Sequence, residues 1–140
     1  MRAFIVLISL LPSLVHATEY GSAVVAKIIS VYDGDTFRAD IANWQAIAGQ
    51  NIGIRVNGID TPEIRGKCPQ EKELAIQARD VARQVLQDAS VVELRHIQRG
   101  KYFRLVAVVI ADGQNLSDVL IARGLAVPYD GGTKTKDWCQ

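Results

Sequence analysis

The spacing of apolar positions changes several times along the chain, and each change assigns an element. In residues 22–32, Val and Ile are separated by Ala, Ser and Lys, which predicts a strand with one buried face. Asp33-Gly34 is a strong turn signal, and residues 35–41 predict a second strand leaving it. Residues 43–50, with Trp44 and Gly49, predict a loop. Residues 52–59 alternate again. Thr61-Pro62 stops that strand, because proline removes a donor and restricts its predecessor. Over residues 69–86 the period lengthens. Leu74, Ala78, Val81, Ala82 and Val85 fall three or four apart, which predicts a helix with one apolar face. Glu71 and Glu73 lie at its start, where the helix dipole favours acids. Residues 91–97 and 104–110 predict two more strands, the second ended by Asp112-Gly113. Residues 118–123 predict a short helix with Ser117 as N-cap and Gly124 as its stop. Three strands, a helix, two strands and a helix suit a small closed or partly closed barrel carrying packed helices, an α+β fold.

The N-terminus does not belong to this pattern. Arg2 precedes an apolar run from Ala3 to Val15 that is too short to span a bilayer at ~20 residues per helix. Pro12 would break a buried helix, and the run ends in Val15-His16-Ala17. A basic start, a short apolar run and a small residue before the cut predict a signal peptide over residues 1–17 and a folded domain over residues 18–140. The expected location is therefore the periplasm or the medium. The full chain holds 16 Lys+Arg against 15 Asp+Glu, so losing Arg2 leaves the mature chain formally neutral. Neutrality excludes a coat or packaging protein built on a global positive field; any nucleic acid must be met by a local patch. Arg65, Lys67, Arg95, His96 and Arg99 are candidates for it. In an oxidising compartment the two cysteines, Cys68 and Cys139, are expected to form a disulfide that ties the tail to the loop after Glu63.

Three segments place charged groups at strand ends or turns: Asp33-Gly34-Asp35-Thr36, the run from Arg55 through Asp60-Thr61-Pro62-Glu63, and Lys101-Tyr102-Phe103-Arg104. Asp35 and Asp60 are hard oxygen ligands suited to Ca²⁺. Thr61 can add its backbone carbonyl, because the extended geometry before Pro62 keeps that oxygen out of a helix ladder. Glu63, three residues on from Asp60, can stand near the metal without ligating it. Arg55 and Arg104 offer paired donors to phosphate oxygens. Strict alternation puts Arg55 and Asp60 on opposite faces of one strand, although a bulge at Asn57-Gly58 would change that. The set suits phosphodiester hydrolysis. A cation and two guanidiniums stabilise charge on the transition-state oxygens, and a carboxylate takes a proton from water.

Over residues 24–126 the chain resembles the staphylococcal nuclease (thermonuclease) family, through "VYDGDTF", "IRVNGIDTPE", "GKYFRL" and "ADGQNLSDVLIARGLA". The resemblance implies a five-stranded oligonucleotide-binding (OB-fold) barrel with packed helices. It also implies calcium-dependent cleavage of DNA or RNA that leaves 3′-phosphates. Residue by residue, Asp35, Asp60 and Thr61 match the calcium ligands, and Glu63 the proposed general base. Arg55 and Arg104 match the phosphate-binding arginines, and Lys101 and Tyr102 the contacts to a further phosphate. The placement of Arg55 in the site rests on this resemblance. The chain departs from the family where Gly100 replaces a frequent acid, where Phe103 replaces a usual glycine, and in a shorter tail after Val127. Tyr129 is the candidate for a base-stacking tyrosine. A monomer is expected. The alternative function is a non-catalytic nucleic-acid-binding module on the same barrel.

Overall fold

The computed structural model describes residues 18–140, so the expected signal peptide over residues 1–17 lies outside it. In chain order the elements are β1 (Ala23–Val31), β2 (Thr36–Ile41), α1 (Ala46–Gly49), β3 (Ile52–Val56), β4 (Ile59–Asp60), α2 (Pro69–Asp88), β5 (Val92–Arg99), β6 (Leu105–Ala111), β7 (Gln114–Asn115), α3 (Leu116–Ala122) and β8 (Val127–Pro128). Five strands run in the order β3-β2-β1-β5-β6, each antiparallel to its neighbour. A parallel pairing of β3 with β6, Arg55 opposite Val106, closes the barrel. Closure removes both sheet edges. This is the five-stranded OB-type barrel with packed helices.

Alternation explains the core. Ile52, Ile54 and Val56 of β3 point inward and are buried, as are Leu105, Ala107 and Val109 of β6. Phe37, Leu94 and Ile97 complete the barrel interior, and Ala78, Ala82 and Leu86 of α2 seal one side. That helix has small alanines where it meets the barrel, which allows close approach. Among the described residues, no helix is long and apolar enough to cross a membrane.

Several sequence expectations need correction. Residues 43–50 are not all loop, because α1 forms one helical turn there. The third strand does not run to Ile59. β3 ends at Val56, Gly58 turns with φ +85°, and β4 is a separate short strand paired with β8. The N-cap of α3 is Asn115 rather than Ser117, its side chain accepting from the Ser117 backbone N–H at 2.9 Å. Gly124 does stop α3, at φ +70°. Cys68 caps α2 and is bonded to Cys139, with Cα atoms 6.0 Å apart.

Candidate active site

The Asp33-Gly34 turn between β1 and β2 is wedged against two other elements. A Cβ on Gly34 would lie 2.9 Å from both Ala78 Cβ and Thr61 Cγ2, so only glycine lets the turn sit this close to α2 and to the end of β4. Asp35, at the end of this turn, is 2% exposed, and Asp60, at the end of β4 that the turn packs against, is 3% exposed. Asp33 is buried beside them and accepts from the Asp35 backbone N–H at 3.2 Å. Burial first, then the charge of Asp35, pushes the Asp33 carboxyl up to about 7, partly offset by the Arg55 guanidinium.

The Asn57-Gly58 turn resolves the question left by alternation. Because β3 and β4 are separate strands, Arg55 and Asp60 no longer obey one alternation. Arg55 forms an ion pair with Asp35 and donates from Nη2 to the Ile59 carbonyl at 3.2 Å. Arg104 stands at the mouth of β6, its stem beside Gly53 of β3, two residues before Arg55. Its loop is held by Gly100 N–H donating to the Arg104 carbonyl at 2.7 Å and by Arg104 N–H donating to the Lys101 carbonyl at 3.2 Å. Among the described residues Arg104 forms no ion pair, and its Nε is buried without a hydrogen-bond partner. Arg55, Glu63, Lys101 and Arg104 line one open cavity of about 800 Å³, together with Tyr129 and Lys134. Tyr102 does not face this cavity; it is 94% exposed on the rim of a neighbouring groove.

Sequence reasoning gave no role to Lys134. Its ammonium lies 2.7 Å from Asp60 Oδ1 and 2.8 Å from Glu63 Oε1. Burial would depress its pKa, but hydrogen bonds and charges from Asp60 and Glu63 outweigh that and hold it above the usual lysine value. Trp138 Nε1 also reaches Asp60, at 3.5 Å from Oδ2. Nothing in the polar tail signalled these contacts. The doubled acid around Gly34 was the available signal for Asp33. Of the five expected patch residues, Arg99 alone lines the cavity; Arg95 pairs with Glu93, His96 with Glu19, and Arg65 and Lys67 line the far side of Glu63.

The donor set fits a hard divalent cation: two buried carboxylates beside the Thr61 backbone. Asp60 Oδ1 is buried with the Lys134 ammonium 2.7 Å away, so cationic company is already built into this position. Among the described residues, the cluster of three His, Cys, Asp or Glu donor atoms close enough to share an ion is Cys68, Glu71 and Cys139, but the two sulfurs are bonded to each other and offer no thiolate ligands.

The family model described as staphylococcal nuclease homologue matches residues 53–138. The chain belongs to that family. The match covers more than half of the chain and includes Arg55, Asp60, Glu63 and Arg104, while the Asp33–Asp35 turn precedes it. No curated protein matches the chain significantly. Within this nuclease-homologue family the ligand class is nucleic acid, and Arg55, Arg99, Lys101, Arg104 and Lys134 line one cavity.

Proposed function

We propose that the chain is an exported, calcium-dependent nuclease that hydrolyses phosphodiester bonds of DNA or RNA and leaves 3′-phosphates. The observation that carries the reading is the sharing of one cavity by Arg55, Arg104 and Glu63, next to two buried carboxylates. In this reading Asp35, Asp60 and the Thr61 carbonyl hold calcium. The ion, when bound, supplies positive charge beside the scissile phosphate. Arg55 and Arg104 donate to the non-bridging oxygens, where negative charge grows in the transition state. Among the described residues Arg104 pairs with no anion, so its charge is available to a phosphate. Glu63, after release from Lys134, takes a proton from the attacking water as the water oxygen bonds to phosphorus, the bond to the 5′-oxygen breaks, and that oxygen leaves as a hydroxyl with a proton drawn from solvent. Lys101 and Tyr102 hold a phosphate further along the strand. Export rests on the basic-then-apolar residues 1–17, and the disulfide is consistent with an oxidising compartment.

A second reading, a nucleic-acid-binding module without catalysis, is favoured by one observation: Lys134 pairs with both Asp60 and Glu63. Incubating the mature protein with single- and double-stranded DNA and RNA, in calcium and in chelator, separates the two. Cleavage that stops in chelator supports the nuclease. A gel shift without cleavage across a calcium range supports the module and rejects the enzyme.

A further inference from the structure

On the far side of Arg104 from the acids lies a second groove, of about 540 Å³. It is continuous with the arginine cavity, since Tyr32, Thr36 and Arg104 line both. Its floor is β3 at Gly53, over which the Arg104 stem lies; a Cβ there would be 3.7 Å from Arg104 Cβ. Phe103, Tyr32 and Ile47 are among the residues that line it.

Core packing does not explain this lining. Ile47 is 85% exposed and Phe103 59% exposed. Tyr102 and Phe103 sit at φ 55° and 59°, a left-handed conformation that bulky residues adopt only at a steric cost. Glycine would meet this backbone demand without that cost. The chain instead keeps two consecutive aromatics there and turns them to solvent. Strain of this kind gathers where a loop serves a ligand. The groove's charge points to the ligand: Arg38 and Arg104 line it and, among the described residues, no carboxylate does; Arg99, on the cavity side, lies over one face of the Phe103 ring at 4.8 Å and leaves the other face for a base. An apolar, aromatic slot with cationic edges suits nucleobases attached to a phosphate chain. It has room for one or two unpaired bases and not for a duplex.

We propose that this groove is a stacking subsite for unpaired bases of a single-stranded nucleic acid, with Phe103 and Tyr32 as the stacking faces. The proposal rests on reading the arginine cavity as the phosphate seat, because a strand leaving Arg104 enters the groove directly. It assigns to Phe103 and Tyr32 contacts with the bases of a strand as it leaves the arginine cavity.

The test is binding, measured in chelator so that no strand is cut. Fluorescence anisotropy would follow a labelled short oligo(dT), an abasic strand of equal length and charge, and a duplex. The wild type is expected to bind oligo(dT) more tightly than either of the others. Phe103→Gly, which relieves the backbone, is expected to fold and to lose about tenfold in affinity for oligo(dT), in the range of one lost base–aromatic stack. On the abasic strand it should lose nothing. Equal affinity of wild type, Phe103→Gly and Tyr32→Ala for oligo(dT), or an equal loss on the abasic strand, overturns the subsite. Failure of the underlying reading looks different. A wild type that cleaves neither DNA nor an activated phosphodiester in calcium removes the catalytic reading, while a base-dependent loss in Phe103→Gly still stands.

Discussion

Arg55 and Arg104 carry the same charge in different company, and that difference separates their mutants. Arg104 has no ion-pair partner among the described residues, so Arg104→Ala leaves no buried anion behind. Activity is expected to fall by about a hundredfold or more, the usual result of removing a preorganised donor, with the thermal midpoint nearly unchanged. Arg55 neutralises Asp35, which is almost fully buried. Arg55→Ala should therefore lose activity and also about 3 kcal/mol of stability, from the uncompensated carboxylate. Steady-state assays paired with thermal unfolding distinguish the two; a loss below about tenfold at both sites contradicts their role. Asp33 makes a separate prediction. Its folded pKa of about 7 lies above the usual aspartate value, so the fold favours the protonated form. Below about pH 4 both states are protonated and nothing is lost; between about pH 4 and 7 the unfolded chain gives up the proton first and stability falls. In chelator, Asp33→Asn should match the wild type near pH 4 and exceed it above about pH 7, by on the order of 4 kcal/mol. A gap independent of pH in thermal unfolding rejects this.

At the scale of elements, local pattern was legible and long-range pairing was not. The helix at α2 was readable because its 3.6-residue period runs unbroken through Ala78, Ala82 and Val85. The strands were readable from alternation. The split between β3 and β4 was not, since Asn57-Gly58 is compatible with a bulge, a bend or a true turn, and only the pairing of Ile59 with Pro128 decides. The parallel seam between β3 and β6 joins segments about fifty residues apart in sequence and leaves no local trace. The acids and arginines could be named from their turns, but their convergence depends on that seam. The Asp33–Asp35 turn shows how tightly one element depends on another. Gly34→Ala places a methyl 2.9 Å from Ala78 Cβ and Thr61 Cγ2, and neither atom can swing aside, being rooted in α2 and at the end of β4. The expected cost is about 1–3 kcal/mol, as for overpacking a filled site. Thermal unfolding reads it, and a midpoint equal to wild type would mean the turn is free to shift away from α2.

Across the whole molecule, the C-terminal segment behaves as a strap over the acids. Tyr129 N–H donates to the Gly58 carbonyl, Lys134 bridges Asp60 and Glu63, Trp138 reaches Asp60, and Cys139 is bonded to Cys68 at the head of α2. The disulfide fixes the end of the segment, so the Lys134 ammonium is kept at high effective concentration beside the two carboxylates. A divalent cation held by Asp60 must therefore displace that ammonium or tolerate its repulsion. Lys134→Ala removes the competitor and is expected to tighten calcium binding by about tenfold, equivalent to ~1.4 kcal/mol. The opposite expectation is equally definite: if Lys134 instead holds the tail as a wall of the calcium site, the variant binds calcium more weakly. Titration calorimetry with calcium decides the sign without any cleavage assay. Paired loss of the disulfide, Cys68→Ser with Cys139→Ser, gives a second reading of the same contact. It should lower stability by about 2–5 kcal/mol and move calcium affinity in the same direction as Lys134→Ala, because an untethered tail presents its ammonium less often. Tighter binding in Lys134→Ala together with weaker binding in the disulfide-free protein would separate the strap from the lysine and contradict the competition argued here.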